Sequence, residues 1–328
     1  MFQNQSSGRA SERLVLTQMT ESSAVSDASA LQTVRPSRIE AIFAFLAIYV
    51  IWGSTFLAIR YAVESIPPLF TAAIRHLLAG SILLGWALWK GERPTRQGLR
   101  AGIILGFLFF FVSHGLLHWA ELNVPSGVAA LVIAIEPAIV ALLLPVLKLG
   151  PRPRGMTWSG LAVGAVSVAL LFRPDVSAEP GVLIGLVAVL VSAIAWSLGI
   201  VYSRKLQPAN GSTLNAALPL LCGSLMLLAG GLIRGEHHAF QFSQILPESF
   251  VGLLFLIFFG SLTAFSAYAW LLKHYSPTLV ATHTYVNPIV AVLLGWALAG
   301  EKLTGSIVLS MALAILAISL VNRGSQAG

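Results

Sequence analysis

Residues 40–62 read EAIFAFLAIYVIWGSTFLAIRYA, an apolar stretch of about twenty residues with charge only near its ends. A helix of that length crosses the ~30 Å hydrocarbon layer of a bilayer. In lipid the backbone must satisfy its own hydrogen bonds, so the stretch has to be a helix. Nine more stretches follow, at 67–89, 98–119, 124–147, 156–172, 181–203, 212–233, 247–272, 277–299 and 304–321. Connections are short, and the longest runs from Arg234 to Leu246. The expected fold is an all-α integral membrane protein of ten transmembrane helices, with no room for a soluble catalytic domain.

Composition agrees. The chain has 328 residues, 56% hydrophobic and 10% charged, with a mean hydropathy of +0.82; soluble domains carry about 25% charged residues. The net charge of +7 does not point to nucleic acid, because the basic residues sit in short connections, where they set topology. The single cysteine, Cys222, cannot close an intrachain disulfide. Residues 1–38 are rich in Ser, Gln and Thr and lack a signal-peptide core, which reads as a disordered tail. A second short tail is expected at 323–328.

Orientation follows from the Lys and Arg positions. With the N-terminus inside, fifteen basic residues fall on the inner side, among them Lys90, Arg93, Arg152, Arg154 and Lys205. Four fall outside: Arg60, Arg173, Arg234 and Lys302. Arg75 lies within a span. This asymmetry puts both termini in the cytoplasm.

The chain also repeats itself. Trp52 and Arg60 recur as Trp196 and Arg204, 144 residues later. Trp119, Ser126, Ala130 and Glu136-Pro137 recur as Trp270, Pro277, Ala281 and Asn287-Pro288, at an offset of 151. Each half has five spans, an odd number, so the second half enters from the opposite face. Two inverted five-helix repeats, 39–173 and 180–322, are expected, with a site near the midplane between them.

These residues resemble a known family. Tyr49-Val-Ile-Trp-Gly-Ser-Thr-Phe56 with Arg60 and Pro67-Pro68 is similar to the opening of a ten-helix exporter with two EamA domains, from the drug/metabolite transporter superfamily. So are Ile74-Arg75-His76-Leu77-Leu78-Ala79-Gly80, Asn123-Val-Pro-Ser-Gly-Val-Ala-Ala130, Asn287-Pro-Ile-Val-Ala-Val-Leu-Leu-Gly295 and Gly300-Glu301-Lys302-Leu303. The resemblance implies export of small metabolites such as amino acids, or of drugs, across a bacterial inner membrane. It also implies a cavity lined by the first four helices of each half. Glu301 has no acidic counterpart at Gly150, where the first half departs from the second.

Ten residues are candidates for substrate binding. Glu136 sits midway along the fourth span, where a carboxylate costs about 2.5–3.5 kcal/mol. Protonation or pairing relieves that cost, so protons are candidate partners. Asn287 occupies the matching place, and both Asn287-Pro288 and Glu136-Pro137 are expected to break their helices at the same depth. His283 lies one turn before Asn287. Arg75 cannot lose its proton and needs a partner, either Glu136 by depth or a substrate carboxylate. Trp52, Trp196 and Tyr268 are too deep for an interfacial belt and either wall the cavity or pack the core. Ser54 and Thr55 offer hydroxyls beside Trp52, though such groups often bond only to their own helix. His114, four residues from His118, is read as a hydrogen-bonded interior histidine; no second ligand pair completes a metal site.

Small residues four apart, Gly102 and Gly106, Gly160 and Gly164, Gly181 and Gly185, mark close helix contacts. The fifth and tenth spans carry no ionisable group, as expected of scaffold helices covered by lipid or by the second copy of a homodimer. His237-His238 is read as solvated. No Walker sequence, H-E-x-x-H or G-x-S-x-G is present, so no cofactor is expected and secondary transport is favoured. An intramembrane enzyme or a channel-like facilitator is the alternative.

Overall fold

Ser37 and Glu40 start the first helix. The Glu40 N–H donates to the Ser37 hydroxyl at 3.1 Å, and the Ser37 N–H donates to the Glu40 carboxylate at 2.9 Å, a capping box spelled Ser-x-x-Glu. The computed structural model describes residues 37–149, 155–206, 211–275, 280 and 282–326. The tail up to residue 36, Arg152, Arg154, Pro277 and Ala281 lie outside the described residues.

Among the described residues there is no strand, and ten long helices follow one another. α1 runs through Arg38–Leu46, a π-helical stretch Ala47–Ile51, and Trp52–Ser65. α2 is Pro68–Trp89, with proline at its first position, where no N–H is needed. α3 comprises Arg96–Leu105, a π stretch Gly106–His114, and Gly115–Ala120. α4 is Ser126–Ile133 followed by Glu136–Val146. α5 is Met156–Leu170, α6 Val182–Leu206 and α7 Ser212–Arg234. α8 runs through Pro247–Phe255, a π stretch Leu256–Thr263, and Ala264–His274. α9 is His283–Ala299 and α10 Gly305–Gln326. Short turns at Pro174–Ser177, Glu236–Ala239 and Phe242–Gln244 lie in the connections.

Eight of these helices are long and apolar enough to cross a membrane, while α5 and α9 are shorter. α5 ends before Arg173-Pro174, and Gly300 stops α9 with a φ of 64° that favours glycine. α10 continues past Val321 to Gln326, so part of the expected C-terminal tail is helical. The expectation of matching breaks is corrected. α4 is interrupted at Ala134–Ile135, just before Glu136-Pro137, whereas α9 passes unbroken through Asn287-Pro288.

Lipid tails are as apolar as leucine, so helices in a bilayer gain by close contact and by polar pairing. From Ile42 onward the chain packs as one unit. α2 lies along α7, and α5 lies along α10. α1 packs on α8 and α9, α6 packs on α3 and α4, and α4 packs on α9. The glycine pairs sit at these contacts: Gly106 faces the backbone of Pro219 and Gly223 on α7, and Gly160 faces Ala317 and Val321 on α10. Ser167 and Ser310 each donate to the other's carbonyl, at 2.9 and 3.0 Å, and tie α5 to α10.

Carboxylates join the long pair end to end. Glu236, just beyond α7, accepts from the Leu69 and Phe70 N–H groups at the start of α2, at 3.3 and 3.0 Å. Glu92, just beyond α2, accepts from the Leu214 N–H at the start of α7, at 2.9 Å. α2 and α7 are therefore antiparallel, each crowned by an acid from the other's far end. Glu92 and Glu236 are 144 residues apart, as are Phe70 and Leu214. A helix start carries unsatisfied N–H groups and the positive end of its dipole, so an acid there satisfies both.

Each cap contributes about 0.5–2 kcal/mol. Glu92→Ala and Glu236→Ala should each lower the melting temperature of the detergent-purified protein. The caps are about 30 Å apart along α2, so the losses in the double variant should add to within about 0.5 kcal/mol. Unchanged melting in both single variants would remove the caps from this account.

Candidate functional site

The π stretches position the polar groups. A π turn takes carbonyls out of the i→i−4 ladder and leaves them open to other donors. Trp52 follows the π stretch of α1, and its indole N–H donates to the Gly260 carbonyl in the π stretch of α8, at 3.1 Å. Its ring meets Tyr268 at 5.2 Å and His283 at 5.1 Å. His283 Nδ1 lies 2.9 Å from the Val280 carbonyl. A carbonyl only accepts, so Nδ1 carries the proton and Nε2 is the free base. With its amide turned to satisfy the neighbouring carbonyls, Asn287 donates to Tyr49 at 3.1 Å, Ile48 at 3.2 Å and His283 at 3.1 Å. Tyr49 also shares a hydroxyl hydrogen bond with Thr282. These contacts join α9 to the π stretch of α1.

A second cluster lies between α2, α3, α6 and α8. Trp196 of α6 stacks flat on His114, with ring centres 5.2 Å apart and planes 2° from parallel. Phe109 lies 4.6 Å from the same indole. His114 Nδ1 is 2.8 Å from His76 Nε2. Arg75 is buried, and its Nε donates to the Ser261 hydroxyl in the π stretch of α8 at 2.9 Å. Ser113 and Ser192 share a hydrogen bond of 2.9 Å that ties α3 to α6. His118 donates its Nδ1–H to the His114 carbonyl at 2.7 Å, so Nε2 is again the basic nitrogen.

At the end of α3, Glu121 is 1% exposed. Among the described residues neither of its oxygens has a well-formed hydrogen bond, though the Arg60 backbone acts on the carboxyl, and His76 Nδ1 and His118 Nε2 have no partner either. Buried polar groups are paired nine times in ten, so these atoms stand out in the structure. Burial, reinforced by Glu301, pushes the Glu121 carboxyl well above the usual carboxylate range, against the opposing pull of Arg60 and Arg75. Glu301 is itself well supplied: it accepts from the Ser126 and Gly127 N–H groups at 2.7 and 3.1 Å, and Arg60 lies 3.6 Å away.

Of the sequence candidates, Trp52, Tyr268, His283 and Asn287 therefore come together, and Arg75, His114 and Trp196 come together. Ser54 and Thr55 spend their hydroxyls on the Val50 and Trp52 carbonyls of their own helix, each at 2.6 Å. Arg75 and Glu136 form no ion pair; the hydroxyl of Ser261 takes the place expected of the acid. Glu136 is half-buried, and its carbonyl accepts from Ser197 at 3.4 Å. His237 and His238 are exposed, as read from the sequence. Sequence reasoning missed His76, Glu121 and Ser261. His76 adjoins Arg75 and could have been flagged as a second ionisable residue in mid-span. Glu121 sits at a span end, where charges are ordinary.

Comparison with known proteins places this arrangement in a family. The description EamA-like transporter family matches residues 39–173 and again 183–323. The chain is 36% identical over 287 residues to the uncharacterized inner membrane transporter YedA of Escherichia coli K12, covering 86% of this chain and 90% of that one. It is 31% identical to protein PecM of Dickeya dadantii, over 86% and 93% of the two chains. It is 26% identical to a probable amino-acid metabolite efflux pump of Salmonella typhimurium, over 83% and 93%. A solved crystal structure shares the fold with a TM-score of 0.60 at 19% identity, over 88% of this chain and 99% of that one. The chain belongs to the EamA-like transporter family.

The environment of Glu121 gives a pH prediction. Its carboxyl binds a proton more tightly in the folded protein than at the ordinary value of 4.5. That contribution to stability is complete below pH 4.5 and is lost as pH rises through the raised value. Melting of the wild type should fall across that window, and Glu121→Gln should flatten the fall. Parallel curves for the two proteins would show that Glu121 is already ionised at neutral pH.

Proposed function

We propose that this EamA-like transporter is a secondary active exporter of a small, amino-acid-like organic metabolite or drug in a bacterial inner membrane. Ten helices act as two inverted five-helix repeats, α1–α5 and α6–α10, with both termini cytoplasmic. The repeats rock about a site between them, formed on α1, α3, α4, α6, α8 and α9 with Arg75 reaching in from α2. α5 and α10 are the scaffold, covered by lipid or a second copy. The antiparallel α2–α7 pair and its reciprocal caps support this arrangement. The name of the Salmonella relative, a probable amino-acid metabolite efflux pump, supports the substrate class.

One observation carries the reading. Among the described residues, no carboxylate lies within ion-pair distance of the buried Arg75 guanidinium. A guanidinium stays charged and presents five donors in a fork shaped for a carboxylate. Arg75 holds the acid group of the substrate, and the rings of Trp52, Tyr268 and Trp196 flank its body. His283, Asn287 and Glu136 supply the remaining polar surface.

The test is overexpression in a host challenged with toxic amino-acid analogues and drugs, followed by efflux from vesicles. Saturable efflux of at least one compound is expected. Arg75→Gln should reduce it about tenfold or more, the loss of one charge-assisted hydrogen bond worth about 1.5–3 kcal/mol. Ser54→Ala and Thr55→Ala should stay near the wild-type rate. Flux that rises linearly with concentration, without countertransport, would instead describe a channel.

A further inference from the structure

Three imidazoles and one carboxyl line up along α3 and its contact with α2, and the exporter reading leaves their chemistry unused. The His76 and His114 rings are 4.8 Å apart, and those of His114 and His118 are 5.9 Å apart. Glu121 follows His118 by three residues, on the same side of the helix. We propose that His76, His114, His118 and Glu121 form the proton-binding site of this transporter, with the Trp196–His114 stack responding to its occupancy.

The tautomers carry the argument. His76 and His114 meet through two ring nitrogens at 2.8 Å, so one proton lies between them and neither nitrogen can be protonated independently of the other. His76 Nδ1 is then either an orphaned donor or an orphaned base. His118 has its Nδ1–H committed to a carbonyl, so an incoming proton has only Nε2 to occupy. Glu121, three residues further along the chain, adds a buried carboxyl. A proton that enters the cluster as H⁺ binds the lone pair of His118 Nε2 and leaves by the reverse step, with the Glu121 carboxyl, three residues on, as a second group able to hold it. No other group is oxidised, reduced or released.

Arg75 on α2 adjoins His76 and is a fixed positive charge. Arg60 of α1 and Glu301 before α10 stand at the Glu121 end and largely satisfy each other. Among the described residues, α6 and α8 add the uncharged Trp196, Ser192 and Ser261. α7 adds Leu227 and Cys222 against α3, while its Arg234 lies over Trp119, 5.6 Å from the ring centre. The proposal rests on the exporter reading for its purpose, since a proton site serves as the coupling site of a secondary transporter. It moves that role from Glu136 to the α2–α3 contact.

Trp196 makes the site observable without any substrate. An imidazolium stacked on indole quenches its fluorescence, so the difference signal between wild type and Trp196→Phe reports the charge on His114. In the full-length protein in lipid nanodiscs that signal should change with pH in a single step as His114 gains its proton. His118→Gln and Glu121→Gln should each move the midpoint by about half a unit or more, while Glu136→Gln leaves it in place. A flat signal in the wild type overturns the site, and so does a midpoint that moves with Glu136→Gln alone. Titration together with vesicle efflux that ignores an imposed pH gradient overturns the coupling role. Titration in a protein that moves no compound of the challenge panel upholds the proton site while removing the exporter reading.

Discussion

Two helices that run in opposite directions, each capped by an acid from the other's far end, are the constraint on which the rest of this protein hangs. A buried carboxylate is costly, and an uncapped helix start in a low-dielectric medium is costly too. Placing the buried Glu236 on the start of α2 relieves both costs there, and the half-buried Glu92 caps the start of α7 in the same way. The pair cannot slide without losing these bonds, so α2 holds Arg75 and His76 at a fixed height against α3 and α8. Glu301 does the same for α4, tying its first N–H groups to the connection before α10. This third cap has no acidic counterpart at Gly150.

Fixed helices permit irregular ones. α1, α3 and α8 each carry a π stretch, and the two in α3 and α8 lie at matching places in the two halves. Each stretch supplies a carbonyl or a polar side chain to the opposite half: Gly260 to Trp52, Ser261 to Arg75, Ile48 and Tyr49 to Asn287, and His114 to Trp196. Irregular backbone at this depth is tolerated where it is buried in protein or lines a cavity. The polar groups therefore gather where the halves meet, while α5 and α10, paired through Ser167 and Ser310, stand apart from them.

The sequence makes the helices legible because a twenty-residue apolar run has one physical outcome in lipid. The offset of 144 residues between Trp52 and Trp196 was readable, and the same offset relates the two capping acids. The caps themselves were hidden, because Glu92 and Glu236 sit in connections, where acids are commonplace and the partner is more than a hundred residues away. The site was half legible. Arg75 and His114 stood out as costly in mid-span, but a single sequence does not say that Ser261, rather than Glu136, meets Arg75. Proline was a poor guide to breaks: Pro137 follows one, whereas Pro288 sits inside an intact helix whose neighbour Asn287 spends its amide on carbonyls of α1 and α9.

The antiparallel spine can be tested by labelling beside its two caps. Arg93 and His237 are exposed, next to Glu92 and Glu236 respectively. Each is replaced by cysteine in a Cys222→Ser background and treated with a membrane-impermeant maleimide in right-side-out vesicles. Labelling of His237→Cys in intact vesicles, with Arg93→Cys reacting only after permeabilisation, is the result this account requires. Labelling of both positions from the same side would contradict it, because the two ends of α2 and α7 would no longer face opposite compartments.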